Sequence, residues 1–216
     1  METDAVELKV LILSLMAIIC IESSATLVTS ESRYLPIMIL GAVRLVETVL
    51  IVLIVLIRGK GLSAIGLAPA TIVPGLKKGL IWSAVTGLFT AVSFALLFAA
   101  GINPLEIIQT KIPVKPGAMI FFFCIGGVIG PVAEEVFFRG ILYGFFRRWG
   151  VWVALVLSTL MFVFVHPHAH GLPLPQLAGG ILFAVAYEMG GSLMVPISIH
   201  VLGNLAIFTI SMMMNS

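Results

Sequence analysis

The segment that decides the fold spans residues 117–147 and reads GAMIFFFCIGGVIGPVAEEVFFRGILYGFFR. This apolar segment is longer than the roughly 20 residues that an α-helix needs to cross a bilayer. The whole chain has the same character: 60% of its 216 residues are hydrophobic and only 10% are charged, whereas about a quarter of the residues of soluble domains are charged. The sequence therefore predicts a protein whose main solvent is lipid.

Backbone that crosses lipid must satisfy its own hydrogen bonds, so apolar spans of this length predict α-helices. We expect an all-α polytopic transmembrane bundle of about seven to eight helices, forming a single membrane domain over residues 1–216. The predicted helices cover residues 8–29, 35–57, 79–100, 117–147, 151–166, 174–190 and 192–212. Residues 58–78 are rich in glycine and proline, and we interpret them as an interfacial linker that does not cross.

Basic residues indicate the orientation of the chain. If the linker stays on one side, that side holds Lys9, Arg58, Lys60, Lys77, Lys78, Arg147 and Arg148, against Arg33, Lys111 and Lys115 on the other. Cytoplasmic loops carry the excess of Lys and Arg, which predicts a cytoplasmic N-terminus. The net charge of +2 is small and the basic residues are scattered, which argues against a nucleic-acid partner.

Charged side chains inside a membrane span are costly, and each is a functional candidate by default. Glu135 precedes Arg139 by four residues, a spacing that predicts an ion pair along one face of the helix. Glu134 lies about 100° away around the helix and is left to face a neighbouring element.

Two later helices each carry a pair of side chains four residues apart, and therefore on one helical face: Phe162 with His166, and His200 with Asn204. Glutamate and histidine can take a proton from water, and histidine and a carboxamide can donate hydrogen bonds to the oxyanion of a tetrahedral intermediate. With Glu134, these groups are the parts of a hydrolase. The only aspartate is Asp4, and the chain has no HExxH or GxSG sequence, which argues against the other familiar intramembrane proteases.

Three motifs occur in order along the chain: Glu134-Glu135-Val-Phe-Phe-Arg139, Phe162-Val-Phe-Val-His166 and His200-Val-Leu-Gly-Asn204. They resemble the EExxxR, FxxxH and HxxxN motifs of the CAAX protease and bacteriocin-processing (Abi) family, which includes the type II CAAX prenyl endopeptidases and the myxosortases. The motif-bearing core covers residues 117–212. The resemblance implies a glutamic-type intramembrane endopeptidase that needs no cofactor.

The resemblance also implies a role for each motif residue. It implies that Glu134 and His166 activate water, and that His200 and Asn204 form the oxyanion site. It implies that Glu135 and Arg139 orient the catalytic carboxylate or the substrate. The expected substrate is a small membrane-anchored protein or peptide cut near its C-terminus, in a prokaryotic cell membrane.

Two alternatives stay open on the same residues. Glu134, His166 and His200 can bind Zn²⁺ as a His₂Glu set with an open position, which would make the protein a metal-dependent membrane protease. A non-catalytic immunity or scaffold protein would use the same side chains only to hold its helices together. His168 and His170 follow Pro167, which should break the helix, and we interpret them as part of a loop near the site.

Arg44 and Glu47 lie three residues apart in the middle of the second predicted helix. The tendency of buried charges to pair predicts an ion pair between them. A second hypothesis is that Arg44 faces the cavity and contacts a carboxylate of the substrate.

Overall fold

The computed structural model describes residues 6–28, 35–166 and 173–214. This part of the chain contains eight helices and no strand. They are α1 (Leu8–Val28), α2 (Leu35–Arg58), α3 (Pro69–Ala99), the short α4 (Leu105–Ile108), α5 (Pro116–Trp149), α6 (Val151–Val165), α7 (Leu174–Gly190) and α8 (Met194–Met214). The predicted all-α bundle is confirmed.

Five helices are long and apolar enough to cross a membrane: α1, α2, α3, α5 and α8. The helices α6 and α7 are shorter, with 15 and 17 residues. Large apolar side chains cover the outside of the bundle, and Phe89 and Phe164 are among the most exposed. An exposed apolar surface of this extent would cause the protein to aggregate in water, whereas it is compatible with contact to lipid. The protein is an integral membrane protein.

The linker is shorter than predicted, because α3 begins at Pro69 instead of residue 79. Proline is well tolerated at the first position of a helix, where its missing N–H has no partner to lose. What remains between α2 and α3 is a 3₁₀ turn, Leu62–Ile65, held between Gly61 and Gly66 with φ of 82° and 73°. The glycines that suggested a linker therefore have two different functions, in turns and in helix packing.

Gly75 and Gly79 allow α3 to approach the start of α8 closely. A Cβ atom added at Gly75 would lie 2.3 Å from Ser192 Oγ, and one added at Gly79 would lie 2.6 Å from Ser198 Cβ. Membrane helices gain little from the hydrophobic effect when they associate, so small residues at the interface provide the close packing. This packing explains why a segment rich in glycine and proline is helical.

Three of the seven basic residues that were predicted to share one side make contacts close to one another. Arg147 forms an ion pair with Glu188 of α7, with Nη2 and Oε1 2.8 Å apart. Arg148 donates to the carbonyl of Val6 ahead of α1, and Lys78 Nζ lies 3.1 Å from the carbonyl oxygen of Gly190. The cytoplasmic location of these residues stays a prediction.

We expect Gly79→Ala to lower the free energy of unfolding by about 1–3 kcal/mol, because the new methyl group overlaps Ser198. Gly87→Ala in the same helix is the matched control, since a Cβ there would meet no atom within 4 Å. The control should be neutral or stabilising. Thermal unfolding in detergent measures both, and equal midpoints would contradict the packing described for α3 and α8.

Candidate active site

The acidic centre of α5, Gly130–Glu135, lies between two π-helical segments, Ile125–Ile129 and Val136–Tyr143. Pro131 has no N–H to offer the carbonyl of the residue four positions earlier, and its ring crowds that carbonyl. The N–H of Gly130 bonds to the carbonyl of Ile125, five residues back. The predicted extent of this helix is confirmed, but it is not uniform, and Pro131 is the residue that could have shown this.

Glu135 and Arg139 form the predicted ion pair, and both side chains are completely buried. Arg139 Nη1 lies 3.1 Å from Glu135 Oε1, and Nη2 donates to the carbonyl of Gly180 in α7 at 3.2 Å. The guanidinium also lies 4.6 Å from the centre of the Phe162 ring, within the range of a cation–π interaction. The pair therefore connects α5 with α6 and α7.

His200 is held by the same carboxylate. Its Nδ1 lies 2.7 Å from Glu135 Oε1, and the ring of Phe183 stacks on the imidazole at 4.4 Å. Because an ionised carboxylate only accepts hydrogen bonds, Nδ1 carries a proton. Glu135 thus contacts His200 directly, and the orienting role that the resemblance implied for Glu135 and Arg139 stays a prediction.

His166 is the C-cap residue of α6, directly after Val165, and its backbone is extended (φ −88°, ψ 126°). Pro167 follows in the sequence, and the residue before a proline is disfavoured in a helix. The Nδ1 of His166 donates to the carbonyl of Phe162 at 2.6 Å. As in His200, the hydrogen bond at Nδ1 directs the other ring nitrogen toward the site.

The two histidines converge on Glu134. Its Oε2 lies 3.6 Å from His166 Nε2 and 3.8 Å from His200 Nε2. These distances exceed those of a direct hydrogen bond, but they are too short for a water molecule to lie between the paired atoms. The structure therefore brings together three residues that the sequence analysis selected from three separate helices.

Asn204 lies one turn beyond His200 in α8. Its Nδ2 donates to the carbonyl of Gly126 at 3.0 Å, within the first π segment of α5. A carboxamide has two N–H donors, so this contact uses only one of them. Asn204 therefore holds α8 against α5 and retains a donor.

Glu134 and His166 line a cavity of about 470 Å³ between α1, α2, α5 and α6. Arg44 lines the same cavity, and it also forms the predicted ion pair, with Nη1 2.5 Å from Glu47 Oε2. A second partner was not predicted: Arg44 Nη2 lies 2.8 Å from Glu22 Oε1 of α1. Both hypotheses for Arg44 therefore agree with its position.

The zinc alternative concerns Glu134, His166 and His200. Hydrogen bonds at both Nδ1 atoms are usual for histidines that bind a metal through Nε2. In the ranges 6–28, 35–166 and 173–214, however, no three His, Cys, Asp or Glu side chains meet the arrangement that a metal ion needs. His168 and His170 lie outside the described residues.

Phe183 and Gly180 of α7 are site residues that the sequence analysis missed. Phe183 stacks on His200, and the Gly180 carbonyl accepts from Arg139. Gly180 also lets α7 approach α6, since a Cβ there would lie 2.8 Å from Thr159 Cγ2. A glycine pair followed by an aromatic residue in an apolar helix was the available signal, but it is weak without a known partner.

The fold and the site define a helical membrane protein with a buried cluster of carboxylates and histidines. Residues 115–206 match the family model of type II CAAX prenyl endopeptidase Rce1-like proteins. The motif resemblance to the CAAX protease and bacteriocin-processing family is thereby confirmed over residues 115–206.

Two curated proteins are similar to parts of the chain. Over 107 residues it is 35% identical to the membrane-embedded CAAX protease MroQ of Staphylococcus aureus (strain USA300). This alignment covers 46% of the present chain and 40% of MroQ. Over 78 residues it is 32% identical to an uncharacterized 24.3 kDa protein of Escherichia coli. This second alignment covers 34% of the present chain and 36% of that protein. The chain thus spans well under half the length of these relatives. No solved structure matches it.

Arg139→Gln should lower the free energy of unfolding by about 3–5 kcal/mol, because it leaves the Glu135 carboxylate buried without its counter-charge. Lys9→Gln is the control, since it removes the ion pair of Lys9 with Glu7, in which both side chains are largely exposed. We expect the control to leave the unfolding midpoint unchanged. A small effect of Arg139→Gln in detergent would show that the buried pair is not needed to hold the helices.

Proposed function

We propose that the protein is a glutamic-type intramembrane endopeptidase. It hydrolyses a peptide bond near the C-terminus of a membrane-anchored protein or peptide. The observation that carries the proposal is the convergence of two histidine Nε2 atoms on one oxygen of Glu134 at the wall of a cavity. The family match and the similarity to a membrane-embedded CAAX protease support the same class.

Glu134 and His166 activate the attacking water. The Nδ1 of His166 donates to a backbone carbonyl, so the neutral ring presents a lone pair at Nε2. A water molecule that reaches this nitrogen and the Glu134 carboxylate from the cavity donates one hydrogen bond to each. As its oxygen bonds to the scissile carbonyl carbon, Glu134 takes the proton. When the C–N bond breaks, Glu134 returns that proton to the leaving amine.

His200 and Asn204 stabilise the oxyanion that forms on the carbonyl oxygen. Because the Nδ1 of His200 donates to Glu135, its Nε2 can donate only if the ring carries both protons. Glu134, Glu135 and Arg139 together carry one net negative charge when ionised, and a proton on His200 neutralises this buried cluster. The second N–H of Asn204 completes the site, and each such donor is worth about 10²–10³-fold in rate.

The cavity suits a short segment of a substrate chain. Its volume of about 470 Å³ lies within the range of roughly 300–1,000 Å³ that is usual for small-molecule sites. Its polar groups are surrounded by apolar side chains of α1, α2 and α5, such as Ile18, Leu40 and Ile125. A stretch of extended peptide next to a membrane anchor fits both the size and this mixed lining.

Glu134→Gln should reduce cleavage by about 10²–10⁴-fold and leave the unfolding midpoint unchanged, because a carboxamide cannot take a proton from water. The assay uses purified protein in detergent with a panel of synthetic membrane-anchored peptides that differ in their C-terminal sequences, and mass spectrometry identifies the products. Glu106→Gln, at an exposed glutamate of α4, is the matched control and should cleave normally. Full activity of Glu134→Gln would refute the proposed base.

A strong chelator in the same assay addresses the zinc alternative. The glutamic mechanism predicts an unchanged rate in the presence of the chelator. Loss of cleavage that added Zn²⁺ restores would instead make Glu134, His166 and His200 metal ligands. If the wild-type protein cleaves no peptide of the panel while it binds them, the non-catalytic alternative is favoured.

A further inference from the structure

Three charged side chains on one wall of the cavity have no part in the proposed reaction. Glu22 of α1 and Arg44 and Glu47 of α2 form this wall, while Glu134 and His166 line the cavity from α5 and α6. Charges in membrane spans are costly to keep and usually mark a functional site. The wall formed by α1 and α2 therefore needs an explanation of its own.

The two carboxylates that contact Arg44 are not equivalent. Glu47 belongs to the same helix, and its side chain is only 4% exposed. Glu22 belongs to another helix, and its side chain is 42% exposed. One carboxylate is enough to neutralise a guanidinium, so the second can be exchanged. Glu22 is the exchangeable one, because its release does not leave a bare carboxylate in a dry environment.

We propose that Arg44 is the specificity residue for a carboxylate of the substrate, and that Glu22 occupies this subsite when no substrate is bound. The proposal rests on the proposed function, in which the substrate is cut near its C-terminus, so the carboxylate is the terminal one. It takes the position of Glu22 Oε1 at Nη2 of Arg44. Arg44 remains paired with Glu47 throughout, so the exchange leaves the number of ionic contacts unchanged.

The proposed reaction disfavours a cationic ligand at this wall, although Glu22, Arg44 and Glu47 together carry one net negative charge. A cationic group of the substrate would be drawn to Glu134 as well as to Glu22, and it would pair with the carboxylate that must take the proton of water. A substrate carboxylate is repelled by Glu134 and attracted by Arg44, so it stays at the wall formed by α1 and α2. Repulsion and attraction together set the distance between the C-terminus and the bond that is cut.

The test uses the full chain in detergent and the peptide panel synthesised twice, with free C-terminal carboxylates and as carboxamides. We expect the wild-type protein to cleave the acids with a kcat/KM about 10- to 100-fold above that of the amides, because the amides lose a hydrogen-bonded ion pair. Arg44→Gln should bring this ratio close to one by raising KM for the acids, with little change in kcat. Arg58→Gln, at the exposed end of α2, is the matched control and should keep the ratio.

A second variant guards against misfolding, since Arg44→Gln leaves Glu47 buried without its partner. Glu22→Gln keeps the pair of Arg44 with Glu47 intact, and it should lower KM for the acids because the competing carboxylate is gone. Equal cleavage of acids and amides by the wild-type protein, or an acid preference that survives in Arg44→Gln, would overturn the proposal. A preference for peptides with basic ends that disappears in Glu22→Gln would assign the wall to a cation instead.

Binding separates this proposal from the proposed function. Fluorescently labelled acids and amides of the panel are titrated onto the Glu134→Gln variant, which cannot perform the proposed reaction. Tighter binding of the acids that is lost on adding Arg44→Gln supports the carboxylate subsite, whether or not the wild-type protein cleaves the peptides. Equal binding of acids and amides overturns the subsite even if the wild-type protein is an active peptidase.

Discussion

The buried ion pair between Glu135 and Arg139 is the interaction on which the rest of the site depends. A guanidinium inside a helical bundle must find its partners there, and Arg139 bonds through Nη1 to Glu135 and through Nη2 to the carbonyl of Gly180. The same oxygen of Glu135, Oε1, also contacts Nδ1 of His200. The pair thus joins α5 to α7 and α8. Such a pair contributes little net stability compared with apolar packing, so its value lies in the geometry that it imposes.

Two adjacent carboxylates thereby acquire different functions. Successive residues of a helix point about 100° apart, so one glutamate faces the core and the next faces the cavity. Glu135 has no exposed surface, whereas the Glu134 side chain is 25% exposed. Glu135 is fixed by a permanent counter-charge and positions a histidine, whereas Glu134 is the residue that we propose to act on water. We regard this division as the reason for the paired acidic residues in the motif.

Much of the site could be predicted because its parts follow helical spacing. The four-residue spacing of Glu135 and Arg139 predicted their contact, and the high cost of polar groups in lipid singled out His166 and His200. Features that depend on contacts between helices could not be predicted from the sequence. Nothing in the sequence distinguishes Phe183 or Glu22 as a site residue, because their roles depend on contacts with other helices. The predicted start of α3 was wrong because Gly75 and Gly79 were interpreted as helix breakers. Their close packing against α8 overrides that local tendency.

In the proposed mechanism, Glu135 holds His200 with a proton on each ring nitrogen, while His166 keeps a lone pair for water. Nitrogen-15 NMR of protein labelled at its four histidines tests this claim most directly, with each signal assigned through a single His→Gln variant. The account predicts that both nitrogens of His200 are protonated and that His166 is protonated at Nδ1 alone. A neutral His200 with a bare Nε2 could not donate to an oxyanion, and that result would contradict the account.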